Sequence, residues 1–345
     1  MTIRHATDAD AHAWDAFLAS REWRPFLQGW TMGEVYRDIG QEPIRLLAED
    51  GGNVVGVCLA IHVPARRGKH LAIQYGPVGD GPATHALLAA ASDEARRRGC
   101  TFVRVSPFVP ASEPWTAGAR STLSPLHLLA EHVWFLRLEG ATEEALLAGM
   151  RKTTRNLVRR AEKDGVTVRA SADPTKDVEE FIRLHDETRK RHKFTPYTNA
   201  FFRAQVKRFA PRNECTVYLA EFQGQVIAAS VHMHAFGETS YHHGASDSAH
   251  AKVPASYLVQ WTAIRDALKR GDRVYNFWGI APMATGPDGE RAIADKKHPF
   301  AGVTLFKTGF GGELLDLRHC TDLPLGSGYI LTRWFEILRK WKRGF

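Results

Sequence analysis

Apolar residues recur along this chain in two rhythms, and the order in which the rhythms alternate points to the fold. Helical spacing predicts helices over Ala9 to Ala19 and Trp30 to Asp38, and apolar runs then predict strands over Pro43 to Ala48 and Val54 to Val63. Asp50-Gly51-Gly52-Asn53 between those strands has the composition of a tight hairpin turn. A third strand, His70 to Tyr75, runs into Gly76-Pro77-Val78-Gly79-Asp80, followed by an alanine-rich helix, His85 to Arg98, and a strand, Phe102 to Val105. The second half repeats this order. Glu143 to Asp164 reads as one long basic helix, with further helices over Asp177 to His192 and Thr198 to Phe209. A hairpin of Thr216 to Phe222 and Val226 to His234, a strand at Thr239 to His243, a helix at Ala255 to Arg270 and a strand at Val274 to Trp278 complete the set. The pattern predicts an α/β (α+β) fold with mixed sheets, as two tandem copies of one α/β unit. No residue-level repeat accompanies it.

At 345 residues the chain is long enough for two domains, each with its own core. The net charge of +8 points to anionic partners: nucleic acid, phosphorylated small molecules or anionic lipid surfaces. Cys58, Cys100, Cys215 and Cys320 form no C-x-x-C pair and sit mostly within apolar runs, so they read as reduced core residues, and no metal site is expected. The first residues, MTIRHATDADAHAW, lack an apolar signal region, and no apolar run is long enough to span a bilayer. A cytoplasmic protein is the expectation.

Candidate chemistry concentrates in Gly302 to Gly312, GVTLFKTGFGG. Val303 to Phe306 reads as a β-type run that delivers Lys307 onto a segment where Gly309, Gly311 and Gly312 allow close backbone approach. Such a segment places a single cation in a site, although an ordinary strand with a Gly-rich turn gives the same pattern. A second feature is the helix from Arg151, on which Lys152, Arg155, Arg159 and Lys163 form one cationic stripe at i, i+3, i+7 and i+11. The stripe fits a phosphate backbone or a solvated face. The last segment, Tyr329 to Phe345, puts Ile330, Trp334, Ile337, Leu338 and Trp341 on one helical face with Arg333, Arg339, Lys340, Lys342 and Arg343 around it. That is the composition of an interfacial anchor, or of a face docked on the protein's own core. His242 and His243, if strand-borne, alternate to opposite faces and make a poor metal pair.

A set of motifs in order carries a family resemblance: FLQGW, YGPVGDG at Tyr75 to Gly81, MRKTTRNLVRRAEKDGV at Met150 to Val166, YHHGAS at Tyr241 to Ser246, VQWTAIRDALKRG at Val259 to Gly271, YNFWGI at Tyr275 to Ile280, and LFKTGFGGE. Together they resemble the Fem family of non-ribosomal peptidyltransferases, which use aminoacyl-tRNA to add amino acids to the peptide stem of peptidoglycan precursors. The resemblance implies two tandem domains of the Gcn5-related N-acetyltransferase (GNAT) fold, residues 1–141 and 142–316, with a tail, 317–345, packing back on the first. There is no room for the coiled-coil arm of some members, so the shorter, armless members are the nearer comparison.

The resemblance also implies site residues. Phe306 and Lys307 match the family's Phe-Lys pair for tRNA engagement and transfer. The family's substrate cleft maps onto Tyr36 with Arg37 beside it, Ser106, Thr195, Tyr197, and Tyr241 and His243 of YHHGAS. Tyr36 and Tyr197 stand where the family carries cations that hold the diphosphate of a soluble nucleotide precursor, a departure that favours a lipid-linked or a different amine acceptor unless Arg37 or Arg203 replaces the missing cation. Ser106 stands for a family aspartate and His243 for a family tyrosine. The expected reaction is amine attack on an aminoacyl ester, with aminoacyl-tRNA as co-substrate and no other cofactor, and the expected protein is a monomer, either free in the cytoplasm or peripheral at the membrane's inner face. Two rivals stand beside it. An acyl-CoA N-acyltransferase acting on another amine, such as a peptide natural product, would want an Arg/Gln-x-x-Gly-x-Gly/Ala loop, and none precedes His85 or Ala255. A non-catalytic tRNA or membrane-surface binding protein would bind without turnover.

Overall fold

The structure, a computed structural model, describes residues 1–66, 68–192, 197–285 and 291–343. The chain divides into two compact units, Met1–Glu131 with Asp316–Phe345, and His132–Leu315. The first unit opens with β1 (Thr2–His5), α1 (Ala11–Ala19), α2 (Trp30–Asp38), β2 (Pro43–Asp50), β3 (Asn53–Val63), β4 (His70–Gln74), β5 (Val78–Gly79), α3 (Gly81–Arg97), β6 (Phe102–Ser106) and β7 (Thr122–Leu123). The second contains β8 (His132–Arg137), α4 (Glu143–Gly149), α5 (Lys152–Lys163), β9 (Thr167–Ala170), α6 (Pro174–His192), α7 (Asn199–Phe209), β10 (Cys215–Phe222), β11 (Gln225–Ala235) and β12 (Glu238–Ser246). It continues through α8 (Ala255–Arg270), β13 (Val274–Gly279), a small hairpin of β14 (Met283–Thr285) and β15 (Arg291–Ile293), α9 (Ala301–Thr308) and β16 (Glu313–Asp316). The chain then returns to the first unit with β17 (Thr321–Pro324) and α10 (Gly328–Arg343).

Among the described residues the first sheet runs β1-β2-β3-β4-β6-β17-β7 with β5 on β3, and the second runs β16-β8-β13-β12-β11-β10-β9. Each contains an antiparallel meander, a crossover helix and a parallel strand: β2-β3-β4, α3 and β6 in one, β10-β11-β12, α8 and β13 in the other. The repeated order is thus architectural, and each unit buries its own apolar cluster. The parallel pairs differ in one respect. β4 and β6 stay paired over five residues, whereas β12 and β13 pair only at Glu238, Thr239 and Ser240 and then part.

Four expectations are corrected. The division falls between Glu131 and His132, not at 141, because β8 pairs with β13 inside the second sheet. α3 begins at Gly81, before the expected His85, because the Asp80 carboxylate accepts from the Ala83 amide at 2.8 Å and caps the helix. The single helix over Glu143 to Asp164 is two, since Met150 and Arg151 take extended backbone (ψ 148° and 138°) and the Arg151 amide donates to Gly309 O at 2.9 Å. Finally, Val303 to Phe306 is not a strand. Thr304 and Lys307 are buried at i, i+3 while Phe306 and Phe310 pack at i, i+4, so tertiary burial overrides the β-type composition and makes α9.

The returning tail is tied in by charge. Arg104 on β6 is 5 % exposed and donates to both carboxylate oxygens of Asp322 on β17 (2.7 and 2.8 Å) and of Glu336 on α10 (3.0 and 2.6 Å). Tyr329 Oη donates to Asp322 at 2.9 Å, so the buried cation and its main partner are well satisfied. Asp322→Ala should therefore leave Arg104 half-compensated and lower the unfolding free energy by about 3 kcal/mol. Urea titration of the two proteins checks this, and a loss within error would mean that the cluster does not hold the tail.

Candidate functional site

The parting of β12 and β13 opens a gap in the second sheet, and α9 fills it with one amine. Lys307, on the last turn of α9, is 7 % exposed, and its Nζ donates to Gly279 O at the end of β13 at 2.7 Å. The same Nζ lies 5.7 Å from the centre of the Tyr241 ring on β12. No carboxylate is recorded against the ammonium among the described residues, and burial alone brings Lys307 down from near 10.5 to about 7. Tyr241 stacks on His232 at 5.3 Å between ring centres, and burial pushes its hydroxyl up to about 12.

Packing around α9 explains why the segment is so rich in glycine. A Cβ at Gly309 would lie 2.3 Å from Thr154 Oγ1 on α5. At Gly312 (φ +103°) a Cβ would lie 2.3 Å from Phe135 O on β8. The glycines therefore serve close contact within the unit. Phe306 faces away from the gap, packing on Tyr257 at 4.9 Å and Phe310 at 5.5 Å, and so anchors α9 on α8. Arg151 adds a tie, donating to Leu305 O and Thr308 Oγ1.

The residues after Tyr241 on β12 enter a box of rings. The pairing of β11 with β12 slips so that Val231 faces His243 and His232 faces Tyr241, leaving His242 unpaired in a bulge. The bulge cancels the expected alternation: the His242 and His243 rings are 3.9 Å apart. His242 contacts Gln205 through Nδ1 and sits 5.0 Å from Trp278, whose backbone turns to φ +68° next to Gly279. His243 packs against Phe202 at 4.8 Å and Tyr197 at 5.4 Å, and its buried Nε2 has no partner among the described residues. Burial lowers both histidines, His242 to about 3 and His243 well below its ordinary value, so the box is uncharged. Tyr197 stacks on Phe201 at 4.4 Å, and Thr195 lies outside the described residues.

In the first unit, Tyr36 is buried and its hydroxyl donates to Gln74 Oε1 at 2.7 Å, while Gln74 is the register partner of Ser106 on β6. Tyr36 therefore meets an uncharged partner, and Ser106 is buried on the neighbouring strand. Arg37 is exposed and held by Glu34 at 2.8 Å and Glu42 at 3.3 Å, beside a cavity of about 250 Å³ with His5 and Arg98.

The cationic stripe is shorter than its spacing implied. Arg155 Nη1 donates to the carbonyls of Leu147, Ala148 and Met150 at 2.7 to 3.1 Å and caps the end of α4, whereas Lys152, Arg159 and Lys163 remain exposed. A cavity of about 200 Å³ opens at the start of α8, lined by Leu157, Asp247, Lys252, Ser256 and Tyr257 among others. Trp278, Gly279 and this cavity were not singled out from sequence; the only signals were the motif YNFWGI and the helix start after Pro254. One cluster could in principle take a metal among the described residues: His127, Glu131 and His319. The Glu131 carboxylate already accepts from His319 (2.7 Å) and the Cys320 amide (2.8 Å), with His127 Nδ1 at 3.1 Å. Against burial, which raises it, these contacts hold Glu131 down to about 2.

Residues 148–288 match the family model described as an acetyltransferase (GNAT) domain, so the second unit carries an acyltransferase fold. No curated protein matches the chain by sequence. Among solved structures, FemX matches with a TM-score of 0.80 at 18 % identity, over 97 % of this chain and 100 % of that one. The C-terminal domain of a putative lysylphosphatidylglycerol synthetase from Agrobacterium fabrum matches with a TM-score of 0.58 at 16 % identity, over 95 % and 96 %. A tandem GNAT protein from the clavulanic acid biosynthesis pathway matches with a TM-score of 0.55 at 14 % identity, over 94 % and 98 %. The chain thus has the tandem GNAT-like fold of FemX along its whole length, the fold that its motifs imply.

Burial of Lys307 has a measurable cost. The unfolded chain, with the amine in water, binds its proton more tightly than the folded protein does, so stability contributed at this residue rises as pH climbs from about 7 toward 10.5. Below pH 7 both states are protonated and the penalty is fully present. Lys307→Met should remove that rise and be more stable than wild type at pH 6 by about 1 kcal/mol or more. Paired urea titrations at pH 6 and pH 9 check it; an equal pH response in both proteins would show that the lysine is solvated.

Proposed function

We propose that this chain is a Fem-type aminoacyltransferase that moves the aminoacyl group of an aminoacyl-tRNA onto an amine in the peptide stem of a peptidoglycan precursor. The observation that carries the reading is the desolvated Lys307 amine in the gap between β12 and β13, set in the FemX-like fold. In the transfer the acceptor nitrogen, neutral, attacks the ester carbonyl carbon. A C–N bond forms, the carbonyl oxygen becomes an oxyanion, and the C–O bond to the ribose breaks as the nitrogen's proton passes to the leaving oxygen. A cation that is poorly compensated in the free site gains most when negative charge develops beside it, which is the condition for favouring the transition state over the ground state. Lys307 is assigned that role, with Phe306 fixing α9 and Tyr241 bounding the gap.

The exposed Lys152, Arg159 and Lys163 on α5 are assigned to the tRNA backbone, and the cavity at the start of α8 to its 3′ end. For the acceptor, the uncharged ring box with Tyr197 and His243 supplies no cation for a diphosphate. With Arg37 occupied by two carboxylates, a lipid-linked precursor is favoured over a soluble nucleotide one. The same cavity supports a second reading, an N-acyltransferase using acyl-CoA, because a helix start can also take a pyrophosphate.

Incubation with total charged tRNA and a lipid-linked or nucleotide-linked muropeptide, read by product mass, should give one or more added aminoacyl masses, larger in yield on the lipid-linked acceptor. An added acetyl mass from acetyl-CoA, with nothing from charged tRNA, would overturn the proposal. Lys307→Ala should lower kcat by about 10²–10³. In wild type the rate should fall as pH rises above about 7, where Lys307 loses its proton, and Lys307→Arg, if active, should lack that falling limb. Changing Lys152, Arg159 and Lys163 together to Glu should make the salt dependence of tRNA binding shallower by about 2–3 in log K against log salt. An unchanged slope would leave the stripe a solvated face.

A further inference from the structure

α10 is built inside out. Its inward stripe is polar: Tyr329 and Thr332 are buried, and Glu336 turns in to Arg104. Its outward side is apolar, with Leu331 77 %, Trp334 63 %, Leu338 59 % and Trp341 84 % exposed, and Ile330 and Phe335 beside them. A helix held to its unit by an ion cluster and not by its apolar face leaves that face for something else. Charge narrows what that is. Glu336 is the only carboxylate in the sequence after Pro324, and it is consumed by Arg104, while Arg339 and Lys340 are exposed along the apolar strip. The side chains of Lys342 and Arg343 lie outside the described residues. Tryptophans seven residues apart on an amphipathic helix, flanked by cations and free of outward acids, match the interface of an anionic bilayer in both polarity and sign. No helix among the described residues is long and apolar enough to cross a membrane, so the contact is made on the surface.

We propose that α10 docks this protein on anionic lipid, with Trp334 and Trp341 entering the headgroup layer and Arg339 and Lys340 facing the lipid charge. Docking is independent of the transfer chemistry, and it would bring the protein to the surface where a lipid-linked acceptor resides. The probe is a phosphatidylcholine vesicle with and without phosphatidylglycerol, mixed with the full chain in the absence of tRNA or acceptor. Co-sedimentation should increase at least about tenfold with phosphatidylglycerol, fall at high salt, and be accompanied by a blue shift of tryptophan emission. Trp334→Ser with Trp341→Ser should abolish the shift and most of the binding, while urea unfolding confirms an intact fold. Arg339→Glu with Lys340→Glu should remove the phosphatidylglycerol dependence. Equal vesicle binding by wild type and the tryptophan variant would overturn the proposal. So would a wild-type dimer in light scattering that the tryptophan variant loses, which would mean that a second copy covers the face.

Discussion

Desolvation of the Lys307 ammonium constrains the second unit from several sides at once. An amine can be held out of water only if something accepts its hydrogen bond, and here that acceptor is a main-chain carbonyl, Gly279 O, at the end of β13. For the carbonyl to be free, β13 must leave β12 after three paired residues, and Trp278 takes a left-handed backbone conformation at that point. For the lysine to reach it, α9 must lie close to α5 and β8, which requires the absence of side chains at Gly309 and Gly312. The gap, the twisted strand end and the glycines are parts of one solution to the placement of a single cation.

Elsewhere the chain uses its positive charge mainly to hold itself together. Arg104 fastens the tail, Arg155 satisfies three carbonyls at the end of a helix, Arg151 reaches α9, and Arg37 and Arg45 both meet Glu34. The net charge of +8 is therefore a poor measure of the surface available to an anionic partner. The exposed side of α5 and the length of α10 are two places where it is available.

Where local pattern and tertiary demand agree, the sequence was legible. Trp30–Asp38 and Ala255–Arg270 fall where periodicity placed them, the second closed by Gly271 at φ +80°. The motifs likewise carried the tandem architecture. The four-residue strands β1 and β9 carry too few residues for a rhythm to register. α9 was misread because its β-branched and aromatic residues have a preference that packing overrules. Lys307 was legible as a residue but not as an environment, since its acceptor lies 28 residues away in sequence. The contact between His242 and His243 depends on a bulge, which alternation cannot reveal. Arg155 looked like a member of a stripe because spacing says where a side chain starts and not what it reaches.

The place of β17 in the first sheet has a consequence for the order of events during synthesis. β17 is an interior strand, lying between β6 and β7, yet it is made after every strand of the second unit. Residues 132–315 are contiguous, so they can complete their sheet as soon as they leave the ribosome. The earlier-made segment must wait with the edge of β6 unpaired until residues 321–324 emerge, and Arg104 gains Asp322 then and Glu336 only later. An open edge during that interval is a site for wrong pairing between nascent chains, and a chaperone that shields it would act on the first unit and leave the second alone.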